Sequence, residues 1–137
     1  MYLIDTMVLS ERSKARAASS VLDWLHTIEL QHIFISVVTI GEIQRGIHKL
    51  ERQEGKPASR HRSWLEATLH QYATQILPVT LDIARRWGPL TFDMKRTDPD
   101  LLIAATAIEH DLTLVTRNVR HFEPTGVKLF NPYEQPN

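Results

Sequence analysis

From Asp100 to His110 the sequence reads DLLIAATAIEH, and this stretch constrains the fold more than any other. The seven residues after Asp100 carry one hydroxyl and no charge. With Pro99 at its start, the segment predicts a helix of about three turns. A surface helix shows one apolar stripe, whereas this one is apolar almost all round and belongs inside the molecule. The next residues, LTLVT at 112–116, are β-branched and aliphatic and predict a buried strand. A buried helix feeding a buried strand needs layers on either side, so the rest of the chain must supply them.

Its pattern does so. Tyr2 to Ile4 is a short apolar run ended by Asp5 and reads as a strand. Val21, Leu22, Leu25 and Ile28 recur at helical spacing, and HIFIS at 32–36 predicts the second strand. Ile40, Ile43, Ile47 and Leu50 line one face of a helix, and Trp64, Leu65, Leu69 and Tyr72 suggest another. Ile76 to Val79 predicts a short strand whose Pro78 suits a sheet edge. Leu81 to about Met94 reads as helix, and Val127 to Phe130 as a last strand. Glu54 to Ser59, with Gly55 and Pro57, is a loop. Strands alternating with helices predict an α/β chain, with helices on both faces of a largely parallel sheet. A length of 137 residues suits one domain over 1–137, and an apolar fraction of 42% is enough for one core.

In such sheets ligands bind beyond the carboxyl ends of the strands. Three carboxylates fall there: Asp5 after the first strand, Glu42 on the helix after the second, and Asp100 at the start of the apolar helix. Each alone has an ordinary role. Asp5 could shape a turn, Glu42 could pair with Arg45 three residues on, and Asp100 could complement a helix dipole. Asp98 before Pro99 reads as the N-cap of that helix, which leaves Asp100 free of capping duty. Three converging carboxylates repel unless neutralised, and a hard divalent cation such as Mg²⁺ or Mn²⁺ is the usual neutraliser.

The absence of cysteine excludes disulfides, zinc–thiolate sites and thiol nucleophiles. Sixteen basic and sixteen acidic residues cancel, so net charge advertises no nucleic acid. Arg45, Lys49, Arg52, Lys56, Arg60 and Arg62 nevertheless crowd one region against Glu51 and Glu54, either as a solvated charge-paired face or as a basic patch. The first residues, MYLIDTMVLSERSK, read as neither a signal peptide nor a membrane span, and a cytoplasmic location is expected.

YLIDT at the start, GEIQRG around Glu42, DLLIAATA from Asp100, and LVTRNVRHF before FNP resemble PIN-domain ribonucleases. The likeness is nearest to the toxins of VapBC-type and FitAB-type toxin–antitoxin pairs, and it spans nearly the whole chain. It implies an α/β/α sandwich and Mg²⁺- or Mn²⁺-dependent endoribonuclease activity, with tRNA one candidate substrate. It implies Asp5, Glu42 and Asp100 as metal ligands and catalytic acids, with Glu42 bound directly or through water. It also implies a homodimer, an antitoxin that blocks the site, and DNA met only through that antitoxin.

Two features depart from the family pattern. Thr6-Met7 stands where relatives usually have Thr-Asn, and neither Asn118 nor His121 supplies the fourth acid many carry. Asn118 offers a neutral oxygen, and His121 a metal-binding or titrating ring. Thr116 has two readings, a hydroxyl for a water near the metal or an ordinary β-branched strand end. Arg45, Lys49 and Arg117 are candidates for RNA phosphate contacts. The alternative function is a catalytically weak PIN domain that binds its partner in an autoregulatory toxin–antitoxin–DNA complex. A phosphorylation-signalling α/β domain would want a Lys after the late strand, where Arg117-Asn118 stands instead.

Overall fold

A computed structural model describes residues 1–134. Among them five strands form one parallel sheet in the order β3-β2-β1-β4-β5. The strands are β1 (Tyr2–Ile4), β2 (Ile33–Ser36), β3 (Ile76–Leu77), β4 (Thr113–Val115) and β5 (Leu129–Phe130). The α-helices are α1 (Thr6–Ser10), α2 (Ser19–Thr27), α3 (Val37–Arg52), α4 (Ser59–Gln71), α5 (Leu81–Met94), α6 (Asp100–Glu109) and α7 (Val119–Phe122).

The central strand β1 pairs with β2 and β4, aligning Leu3 with Phe34 and Leu114. Period-two alternation then sends successive side chains to opposite faces. Ile4, Ile33, Ile35 and Val115 pack with Val8, Val21, Leu25, Ile43, Ile47, Leu65 and Tyr72 from the α1–α4 layer. Leu3 and Leu114 pack on the other face with Ile103, Ala104 and Ala107 of α6, Phe122 of α7 and Val127. The expected α/β/α sandwich is what the chain forms.

The apolar helix has its explanation here. One side of α6 lies on the sheet, and α5 packs along its length. Leu101 and the run Ile103–Ala107 are therefore buried. Thr106, its one hydroxyl, is satisfied by Leu102 O of the preceding turn at 2.7 Å. Small alanines let the helix approach both neighbours closely, so α5 can keep a polar outer side with only Ile83 fully buried.

Several expected boundaries shift. His32 belongs to a 3₁₀ turn rather than to β2, Pro78 and Val79 fall outside β3, Leu112 and Thr116 flank β4, and Val127 and Lys128 precede β5. Strand β3 is an edge strand, as Pro78 suggested. The short helices α1 and α7 escaped the sequence reading because five and four residues are too few to show a period. Gly55, at φ 61°, turns the loop between α3 and α4 in the left-handed region that favours glycine. Among the described residues no helix is long and apolar enough to cross a membrane.

Candidate active site

Asp5 follows β1 directly, in the middle of the sheet, and is only 5% exposed. Both carboxylate oxygens are occupied. Oδ1 accepts the Thr6 backbone N–H at 2.8 Å and so caps α1. Oδ2 accepts the hydroxyl of Thr116, fully buried at the end of β4, at 2.8 Å. That hydroxyl in turn accepts the Asn118 N–H at 3.1 Å. Burial pushes the Asp5 carboxyl above the usual range, the two hydrogen bonds pull it back, and the Asp100 charge raises it further.

Glu42 sits on α3, two turns beyond Ser36, whose side chain caps that helix by accepting the Val38 N–H at 3.1 Å. Thr6 orients Glu42 by donating its hydroxyl to Oε1 at 3.1 Å. Burial raises the Glu42 carboxyl, and Asp100 and Asp5 add to the shift through repulsion. Thr6 thus joins Asp5 and Glu42, its N–H bonding one and its hydroxyl the other.

Asp100 lies in the first turn of α6, with Oδ2 3.0 Å from Nε2 of His121. Asp98 joins them, and ligand atoms of Asp98, Asp100 and His121 all lie within 4.8 Å of one another. Asp98 is not the N-cap the sequence suggested. The cap position falls on Pro99 and carries no side-chain hydrogen bond. Asp98 instead receives Arg96 at two oxygens, 2.5 and 3.0 Å away, and this pairing holds its carboxyl below the usual range. A bidentate guanidinium outcompetes a backbone N–H for the same oxygens. Lys95, in the left-handed region at φ 55°, turns the chain that delivers Arg96. Arg96 also donates to the His121 carbonyl at 3.0 Å and meets its Nε2 at 2.5 Å. A single ring nitrogen cannot accept from Arg96 and donate to Asp100 together, so the two contacts compete.

Arg96 and Thr6 had no signal in the sequence beyond proximity to acids. Their roles depend on where α1 and the α5–α6 turn meet. Arg45 and Lys49 are exposed on α3, three and seven residues beyond Glu42, and so continue along the same helix side. Arg62 pairs with Glu51 and Lys56 with Glu54, so those cations of the basic region are spent locally. Arg117 and Asn118 are exposed beyond β4. A groove of about 410 Å³ runs from Thr6 and Glu42 past Gly46 to His61 and Trp64. Of the three acids expected to share a cation, only Asp100 belongs to a group whose ligand atoms converge within 4.8 Å among the described residues, and its companions there are Asp98 and His121 rather than Asp5 and Glu42. Carboxylate oxygens are nonetheless the donor type a hard divalent cation takes. Neither Asp5 nor Glu42 has an ion-pair partner among the described residues.

A family profile described as "PIN domain" matches residues 2–126. "VapC ribonuclease Y4jK" of Sinorhizobium fredii is 31% identical, covering 98% of this chain and 99% of that protein. "Toxin FitB" of Neisseria gonorrhoeae is 30% identical, over 97% and 99%. Among solved structures, FitAB bound to an IR36 DNA fragment superposes with a TM-score of 0.86 at 27% identity, covering 100% of this chain and 99% of that one.

Proposed function

Because this chain belongs to the PIN-domain family, we propose that it is a metal-dependent endoribonuclease, the toxin of a toxin–antitoxin pair. The observation that carries the reading is the array at the carboxyl end of the sheet in which Thr6 bonds both Asp5 and Glu42, with Asp100 at the start of α6 and no ion pair to Asp5 or Glu42 among the described residues. Mg²⁺ or Mn²⁺ is the cation these oxygens would hold. When bound, it would supply Lewis-acid activation of water and offset charge on the phosphodiester.

The residues of the chain provide the rest. Thr116 and the Thr6 N–H hold both oxygens of Asp5 in one orientation, and the Thr6 hydroxyl sets that of Glu42. Positioning of this kind removes reorganisation from the chemical step. Arg45 and Lys49, exposed on α3 beyond Glu42, and Arg117, exposed after β4, are the cations that would contact RNA phosphates. Such contacts bind phosphates without reading bases.

A cognate antitoxin and DNA contact through it are part of the same reading, supported by the likeness to the FitAB–DNA complex, and a homodimer is proposed with them. Incubating the purified protein with total tRNA in Mg²⁺, Mn²⁺ or EDTA tests it. Cleavage should need the metal and disappear in Asp5→Ala, Glu42→Ala and Asp100→Ala, each still folded. Activity above a tenth of wild type in any variant removes that residue from the set.

A further inference from the structure

The chain leaves β5 at the carboxyl end of the sheet and turns there through Asn131-Pro132-Tyr133. Asn131 Oδ1 closes the turn by accepting the Tyr133 N–H at 2.9 Å, and Pro132 is buried. The Tyr133 hydroxyl donates to Glu11 Oε2 at 2.6 Å and lies 3.3 Å from the Met7 carbonyl. Glu11 is itself 2% exposed and also receives the Ala18 N–H at 2.9 Å and Lys14 at 3.2 Å. A ring on a two-torsion side chain, bonded at its far end to a buried carboxylate, is a rigid surface. It stands beside α1, whose first N–H holds Asp5.

Over that ring lies Arg117, its guanidinium carbon 4.9 Å from the centroid. Arg117 is the residue after Thr116, which bonds Asp5, and it has no ion pair among the described residues. An exposed arginine otherwise samples many rotamers, and ordering it on binding weakens the contact it makes. Stacking leaves the N–H edges of the guanidinium free while limiting where the group can go.

We propose that Tyr133 is a positioning residue that holds Arg117 ready for an RNA phosphate next to the acidic cluster. The proposal rests on RNA being the substrate. The Glu11 bond fixes the ring, the ring fixes the guanidinium, and the guanidinium meets the phosphate.

The test is a binding cycle with a fluorescent mixed-sequence single-stranded RNA in Mg²⁺, in an Asp100→Asn background that leaves the probe uncut. Tyr133→Leu should weaken binding about two- to fivefold, the scale of an exposed cation–π contact. Tyr133→Phe keeps the ring but loses its bond to Glu11, so its binding should fall between that of its parent and that of Tyr133→Leu. Arg117→Ala should weaken binding and flatten the slope of log Kd against log salt by about 0.7, the share of one phosphate on a single strand. Tyr133→Leu should then add nothing in the Arg117→Ala background. A Tyr133→Leu loss that persists without Arg117 overturns the proposal. So does a Phe variant as weak as Leu, or an unchanged salt slope in Arg117→Ala. Metal-dependent cleavage by the wild type is scored separately, so its failure counts against the ribonuclease reading while the coupling is still read from binding.

Discussion

Replacing Thr116 by valine removes one buried hydroxyl and keeps the side-chain shape. In the wild type that hydroxyl donates to Asp5 Oδ2 at 2.8 Å, and both residues are buried, so water cannot substitute for it. A hydrogen bond to a charged group contributes about 1.5–3 kcal/mol, and its loss strands a buried carboxylate oxygen. The Asn118 N–H also loses its acceptor, but Asn118 is exposed and water can replace it. For a chain of this size the melting temperature should fall by about 5–12 °C at pH 8 in EDTA. The loss depends on pH in a definite direction. Asp5 already titrates above the ordinary carboxylate range because of burial, and Thr116 works against that shift by favouring the ionised form. Valine therefore raises the folded pKa further. Above both folded values the full difference between the proteins is present. As pH falls through them Asp5 becomes protonated, the bond becomes one between neutral groups, and the difference shrinks toward about 1 kcal/mol. Urea melts followed by circular dichroism from pH 8 to pH 4 measure it. A difference that is constant across that range, or below about 0.5 kcal/mol at pH 8, refutes the assignment of this bond to ionised Asp5.

Three further outcomes are expected. Asp98→Ala and Arg96→Ala should each destabilise the fold by no more than about 1 kcal/mol, the pair being partly exposed, and the double variant should cost no more than either alone; additive losses in urea melts would show that they do not act as a pair. His121→Asp should lower the Mg²⁺ concentration for half-maximal tRNA cleavage, by about tenfold if it acts as one ligand's partner at a metal site does, because it adds a carboxylate next to Asp100; an unchanged metal titration would mean that position plays no part. At Glu11, burial works to raise the carboxyl, but Tyr133, Ala18 and Lys14 together hold it below the usual range, so its stabilisation is present above pH ~4.3 and is lost as pH falls through the lower folded value. Glu11→Gln should accordingly be less stable than wild type at pH 7 and approach it at pH 3, and a gap that widens on acidification would contradict the assignment.

Layering was legible in the chain because hydrophobic periodicity is a local property. DLLIAATA announced a helix with no wet side, the strand runs announced a parallel sheet, and Pro78 announced an edge. The rule that ligands gather beyond strand ends pointed to Asp5, Glu42 and Asp100 as a set, whereas the contacts join Asp5 to Glu42 through Thr6 and Asp100 to His121. What the chain could not disclose is which partner each polar group takes, since that depends on distances between elements far apart in sequence. Asp98 illustrates the difference: Asp-Pro before an apolar run predicts a cap, yet Arg96, swung in by the left-handed turn at Lys95, claims both its oxygens. Thr116 had two equal readings, and only the parallel pairing of β1 with β4 brings its hydroxyl to Asp5 across 111 residues of sequence. Tyr133 meets Glu11 across 122 residues, and that meeting exists only because β5 closes the sheet beside β4. Periodicity encodes which face is buried; the registry of strands and the crossing of helices decide which buried or half-buried polar atoms find one another.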